Sequence, residues 1–142
     1  RVLAVNVGGT ILCAREAVKR MSTHHGGKGG SIVNISSAAA VLGAPDNYVD
    51  YAASKGAIDT FTIGLAREVA LEGIRVNAVR PGIIDTDIHA SGGQPDRVAL
   101  IQDTLPMKRA GTADEVAGAV LYLLSDAASY TTGAILNVSG GR

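Results

Sequence analysis

The sequence predicts an α/β fold built on a doubly wound parallel sheet. Three observations carry that reading. Hydrophobic runs of strand length, at 31–37, 74–80 and 133–138, alternate with long helical patterns at 1–22, 51–72 and from 112 onward. Parallel strands need such helices as connections, and the alternation implies right-handed crossovers. The first two runs end in polar or turn residues, Ser36-Ser37 and Pro81-Gly82, and in open parallel sheets ligands bind beyond the carboxyl ends of strands.

The 142 residues suffice for one domain with a real core, so 1–142 is read as a single domain. Hydrophobic residues make up 46%, which excludes a disordered chain. Aromatics are 4% with no Trp, so the core must be aliphatic and alanine-rich. Thirteen Lys plus Arg balance thirteen Asp plus Glu, leaving no net field to recruit nucleic acid or an anionic membrane. The single cysteine, Cys13, excludes an intrachain disulfide framework, and its apolar helical surroundings predict a buried, inert thiol. No signal peptide or membrane-length apolar run is present, and a cytoplasmic protein is expected. Asn34-Ile35-Ser36 and Asn137-Val138-Ser139 fit the glycosylation sequon, but both fall in predicted strands and are read as chance matches.

Residues Arg1 to about Ser22 read as one helix, with apolar positions Val5, Ile11, Leu12, Val18 and Met21. Asn6, a poor helix former, sits early in it. Thr23 to Gly30 is a glycine-rich loop in which the adjacent His24 and His25 diverge, so no metal site is expected. Ser31 to Ser37 is a buried strand. Tyr51 to Glu72 is a long helix whose apolar positions Ala57, Ile58, Phe61, Ile63, Leu65, Val69 and Leu71 cover much of its circumference. More than one of its faces should therefore be buried, and Gly73 is placed to end it. Ile74 to Arg80 is the second strand. Asp87 to Met107 is polar and irregular, with a helix expected from Asp96 to Thr104 and His89 expected to be exposed. Thr112-Ala113-Asp114-Glu115 has the form of a capping box, and Val116, Ala119, Val120, Leu123 and Leu124 give the following helix an apolar stripe. Gly133 to Val138 is the last strand.

The chemistry-bearing stretch is Tyr51-Ala52-Ala53-Ser54-Lys55. Residues four apart share a helix face, so a phenol and an ammonium come within reach of one ligand. A free tyrosine titrates near pH ~10 and is a poor acid or base at neutrality. A fixed cation nearby favours the phenolate, which suits the pair to passing a proton to or from a substrate oxygen. Tyr48 is no rival, because Ala52 stands four residues later.

Several pieces, in order, resemble the classical short-chain dehydrogenase/reductase family. They are Asn6 in Val5-Asn6-Val7-Gly8-Gly9-Thr10, the strand end Asn34-Ile35-Ser36-Ser37, the Tyr-x-x-x-Lys helix, Arg75-Val76-Asn77 leading to Pro81-Gly82, and the terminal Thr132 to Gly141. They cover nearly the whole chain, and the runs Leu42 to Pro45 and His89 to Gly93 look most like bacterial sugar dehydrogenase-like members. The resemblance implies the C-terminal, catalytic half of a Rossmann-like domain. The family's glycine-rich pyrophosphate loop has no counterpart in these residues, and neither does the residue that selects NAD or NADP. It also implies that the first strand pairs with one outside this chain, so that 1–142 alone leaves an open edge and is expected to be unstable.

By the same resemblance, Tyr51 is the general acid or base, Lys55 assists it and binds the nicotinamide ribose, Ser37 (or, as runner-up, Ser36) steadies the substrate oxygen, and Asn6 supports a proton relay. Pro81, Gly82, Ile84 and Thr86 form the turn that holds the nicotinamide of NAD or NADP. Residues 85–111 correspond to the substrate lid. Assembly as a homodimer or homotetramer is expected through helix 51–72. Two departures stand out. Ser37 and Tyr51 are fourteen apart, one more than usual, which places an extra residue in the loop Ala44 to Asp50. Ser139 stands where the family often has Asp, a change expected to touch a subunit contact. The implied reaction interconverts an alcohol and a carbonyl. The alternatives are an epimerase or dehydratase on the same scaffold, or a non-catalytic interaction module.

Overall fold

The computed structural model describes residues 1–142. The chain opens in a widened helix: Ala4–Gly9 is π-helical and runs into the α-helix α1, Thr10–Met21. The widening coincides with Asn6, and the Thr10 hydroxyl donates to the Asn6 carbonyl at 2.7 Å. Short π-helical segments of this kind concentrate at functional sites. A 3₁₀ turn over Thr23–His25 replaces the expected open loop and leaves both histidines exposed. Strand β1 is Gly30–Ile35, and a short helix α2 follows at Ala39–Leu42. The long helix α3 is Val49–Glu68, with a 3₁₀ turn Ala70–Glu72 ended by Gly73 at φ 74°. Then come β2 at Ile74–Pro81, the short helices α4 at Ile88–Ser91 and α5 at Arg97–Ile101, α6 at Ala113–Leu124, and β3 at Ile135–Val138.

The three strands are parallel and lie in the order β1-β2-β3. Side chains on a strand alternate between faces, so two hydrogen bonds decide where the helices lie. Asn34 donates to the Thr62 hydroxyl of α3, whereas the Ser31 hydroxyl donates to the Leu123 carbonyl of α6. Positions 31 and 34 differ in parity, so α3 and α6 cover opposite faces. With the strand order running one way, the two connections have opposite hands, and the expectation that both are right-handed fails. The β2-to-β3 connection spans residues 82–134 and is long enough to escape the local twist that sets the usual hand.

The core lies between α3, the end of α1 and the sheet. Ala66, Val69, Ile74 and Val76 are buried, with Val18, Met21, Ile32 and Leu65 against them. As expected from composition, it is aliphatic. Helix α3 buries one face (Ala52, Ser54, Ile58, Asp59, Thr62, Ala66) and leaves Phe61 and Ile63 half-covered. Leu71, counted as apolar helix surface from the sequence, is 91% exposed, because the helix ends at Glu68 and the turn that follows projects it outward. Cys13 is exposed and not buried, since α1 presents only its other side to the core. Strand β1 is covered less than expected, with Asn34 its only fully buried residue, because nothing pairs with its outer edge.

Two residues of the Arg75-Val76-Asn77 motif fasten the fold. Arg75 donates to the carbonyls of Leu123 (2.8 Å), Leu124 (3.4 Å) and Ser125 (3.1 Å), completing the C-terminal end of α6, where a cation is favoured. The Asn77 amide donates to the Thr131 carbonyl at 2.9 Å and accepts from the Ala134 N–H at 3.0 Å, setting the approach to β3. The capping box at Thr112 and Glu115 forms in full and starts α6.

The segment between β2 and α6 is pinned at its base. The Gly82 N–H donates to the Val138 carbonyl (3.0 Å) and the Met107 N–H to the Gly140 carbonyl (3.3 Å), so both ends rest on the end of β3. A parallel bridge also joins Ile84 to Gly111.

Candidate active site

The site collects where β1 and β2 end against the first turns of α3. Tyr51 and Lys55 stand one turn apart, with the Lys55 Nζ 5.6 Å from the centre of the Tyr51 ring. Lys55 donates to the Ile35 carbonyl at 2.8 Å, so the last residue of β1 anchors the ammonium. Burial of this half-covered side chain pushes its pKa below the usual 10.5, and the Asp59 carboxylate opposes that shift.

Asn6 reaches the same helix. Its Nδ2 donates to the Ser54 hydroxyl at 3.0 Å, and that hydroxyl donates to the Tyr51 carbonyl at 2.6 Å. Ser54 is fully buried inside the Tyr-x-x-x-Lys stretch. It is a residue the sequence reading passed over, although it sits between the two named side chains. It couples the widened helix of residues 4–9 to α3.

The two strand-end serines separate in role. Ser36 is buried, and its hydroxyl donates to the Lys55 carbonyl at 3.3 Å. Ser37 is half-exposed, and its hydroxyl accepts from the Ala39 N–H at 3.1 Å, which leaves its own proton free. In the loop after it, Ala44 (φ 46°) and Asp46 (φ 60°) adopt left-handed backbone, which makes a tight turn ahead of Tyr51.

The turn after β2 is held from several sides. The Pro81 carbonyl accepts from the Ala38 N–H at 2.9 Å, which joins the ends of β1 and β2. A Cβ on Gly82 would lie 2.8 Å from the Ser139 Cα, so only glycine allows this approach to β3. His89 was expected to be exposed. It is half-buried instead, with its Nε2 2.8 Å from the Ile84 carbonyl, because α4 folds back over the turn. The Ile84 N–H has no partner within the chain, and Thr86 is exposed. This open N–H is free to donate to a ligand carbonyl oxygen. No group of three or more metal-ligating side chains forms, and no helix is long and apolar enough to cross a membrane.

Comparison with known proteins agrees with this arrangement. A family model described as enoyl-(acyl carrier protein) reductase matches residues 1–142. The chain belongs to the short-chain dehydrogenase/reductase family. It is 61% identical over 142 residues to the uncharacterized oxidoreductase YgfF of Escherichia coli, covering 100% of this chain and 58% of that protein. It is 47% identical to the L-xylulose reductase of Caenorhabditis elegans (99% of this chain, 55% of that one). It is 43% identical to the glucose 1-dehydrogenase of Gluconobacter oxydans (99% and 52%). Among solved structures, acetoin dehydrogenase YohF from Salmonella typhimurium superposes with a TM-score of 0.83 at 36% identity, over 99% of this chain and 53% of that one. The chain spans about half the length of the curated relatives it matches. Similarity to sugar-named members of the family accords with the finer resemblance read from the sequence.

Proposed function

We propose that this chain carries the catalytic half of an NAD(P)-dependent oxidoreductase that interconverts an alcohol and a ketone or aldehyde. The observation that carries the reading is the Tyr51–Lys55 pair, whose ammonium is fixed by the Ile35 carbonyl at the end of a parallel strand. Tyr51 gives its phenolic proton to the carbonyl oxygen in reduction and takes the hydroxyl proton in oxidation. Lys55 stabilises negative charge on that phenol and binds the ribose. Ser37, whose hydroxyl proton is uncommitted, donates to the substrate oxygen and steadies the charge developing there. Asn6 holds the end of a proton path through its contact with Ser54 and the Tyr51 helix.

The cofactor, NAD or NADP, supplies the hydride chemistry when bound. Pro81, Gly82, Ile84 and Thr86 would hold its nicotinamide end, with the Ile84 N–H as donor. Residues 85–111 would close over a small-molecule substrate, a role supported by the exposure of this segment beside the site. The sugar names of two relatives make a polyol or sugar the first substrate class to assay. Assembly into a homodimer or homotetramer through 51–72 is part of the same reading, supported by the half-covered Phe61 and Ile63. A cytoplasmic setting belongs to it as well.

The test is Tyr51→Phe in the full-length protein. Turnover of sugar and polyol substrates should fall by about 10²–10⁴-fold, the usual worth of a positioned acid or base. Cofactor affinity, read by titration, should stay near that of the unmodified protein. Substantial remaining turnover would sink the assignment.

A further inference from the structure

Asp59 lies one helical turn beyond Lys55, on the face of α3 that carries Tyr51 and Lys55. It is 7% exposed. Arg80, near the end of β2, brings its Nε (2.9 Å) and a terminal nitrogen (2.7 Å) to one and the same oxygen, Oδ2. The other oxygen, Oδ1, is buried without a partner. A pair kept for adhesion alone would gain from a two-oxygen fork. Leaving half a buried carboxylate unpaired lowers stability, so the arrangement calls for another explanation.

That explanation lies one turn back. Lys55 is half-buried, and its only hydrogen-bond partner is a neutral carbonyl. Asp59 is the carboxylate that acts on it. The elements around Lys55 offer no substitute: Ala4–Gly9, Gly30–Ile35 and Ala39–Leu42 contain no ionisable group. On α3 itself the neighbour on this face is Tyr51, and β2 contributes Arg80, a cation that without Asp59 would stand unneutralised behind the ammonium.

We propose that Asp59 is a positioning residue for the reaction: clamped by Arg80 and one turn along the same helix face, it acts through Lys55 and keeps that half-buried ammonium charged beside Tyr51. The inference rests on the oxidoreductase reading and deepens it. Neither residue was singled out from the sequence. The one signal there is the spacing Tyr51, Lys55, Asp59, each four apart.

The experiment is the pH dependence of kcat/KM in the full-length protein carrying Asp59→Asn. This change keeps shape and removes the charge. The alkaline limb, on which Lys55 sheds its proton, should move to lower pH by about 1 unit. A purely structural role would lower the thermal midpoint and leave the limb where it was. The double variant Asp59→Asn, Arg80→Leu removes the orphaned guanidinium too, and carries the test if the single variant does not fold; a smaller movement in the same direction is expected. An unmoved limb in a folded variant overturns the inference. Tyr51→Phe, run in parallel, separates the two levels. An active Tyr51→Phe enzyme overturns the dehydrogenase reading itself, whereas an inactive one with an unmoved Asp59→Asn limb overturns only the role of Asp59.

Discussion

The junction of β1, β2 and α3 and the segment from Asp85 to Gly111 meet at the same site but are built differently. At the junction four polar side chains are tied to distant elements: Asn6 to Ser54, Asn34 to Thr62, Lys55 to the Ile35 carbonyl, Arg80 to Asp59. These contacts span long sequence separations and several are buried. The segment 85–111 is mostly exposed, and its side-chain bonds are local, such as Lys108 to the Asp103 carbonyl. The contrast teaches where precision is needed. Under the proposed function, proton transfer depends on placement within fractions of an ångström, and its groups sit on packed elements. Substrate choice, which tolerates variation, would then fall to a segment with few ties.

Substitutions should follow that gradient. Lys55→Met should have the largest effect. Activity should fall by about 10²-fold or more, yet the thermal midpoint should hold or rise, because the cost of burying the ammonium disappears. The pH dependence of stability sharpens the point. Burial lowers the Lys55 pKa from 10.5, so folding favours loss of this proton, and stability gains from this group as pH rises through the window just below 10.5. Lys55→Met should abolish that gain in denaturant titrations run across pH. Gly82→Ala comes next. Its Cβ meets the Ser139 backbone, and a stability loss of about 1–3 kcal/mol is expected, with weaker cofactor binding. A loss confined to stability would detach this turn from cofactor binding.

The smallest change should come in the exposed segment. His89→Gln removes a ring nitrogen from the Ile84 carbonyl. It should raise the KM for cofactor by about threefold to tenfold, the worth of one hydrogen bond, and leave kcat nearly unchanged. An effect as large as that of Lys55→Met would erase the distinction between the two regions.

Much of the junction was legible in the sequence, for a physical reason. Period and turn chemistry placed the helix that carries Tyr51 and Lys55 and the Pro81-Gly82 turn, whereas Asn6 and the strand-end serines, Ser37 ahead of Ser36, were named through resemblance to the family. The capping box followed from the same local rules. What escaped depends on tertiary contact. Cys13 lies within an apolar pattern but faces away from the only core that α1 touches. His89 turned inward because a one-turn helix formed where glycine and polarity predicted none. Asp59 and Arg80 were not singled out, because their pairing exists only once β2 and α3 pack together. The hand of the second crossover is a property of a long connection, which no local window contains.

The anchoring of residues 82–107 has one more consequence. Because both ends rest on the end of β3, through Gly82 to Val138 and Met107 to Gly140, the chain between them forms a closed span whose feet do not move with its length. Lengthening such a span costs little, since closure entropy grows only slowly with residue number. The segment is thus an exchangeable cassette. Such a cassette can be traded, lengthened or rebuilt while the sheet beneath keeps its register, and under the proposed function that would let substrate range diversify without re-solving the problem of folding.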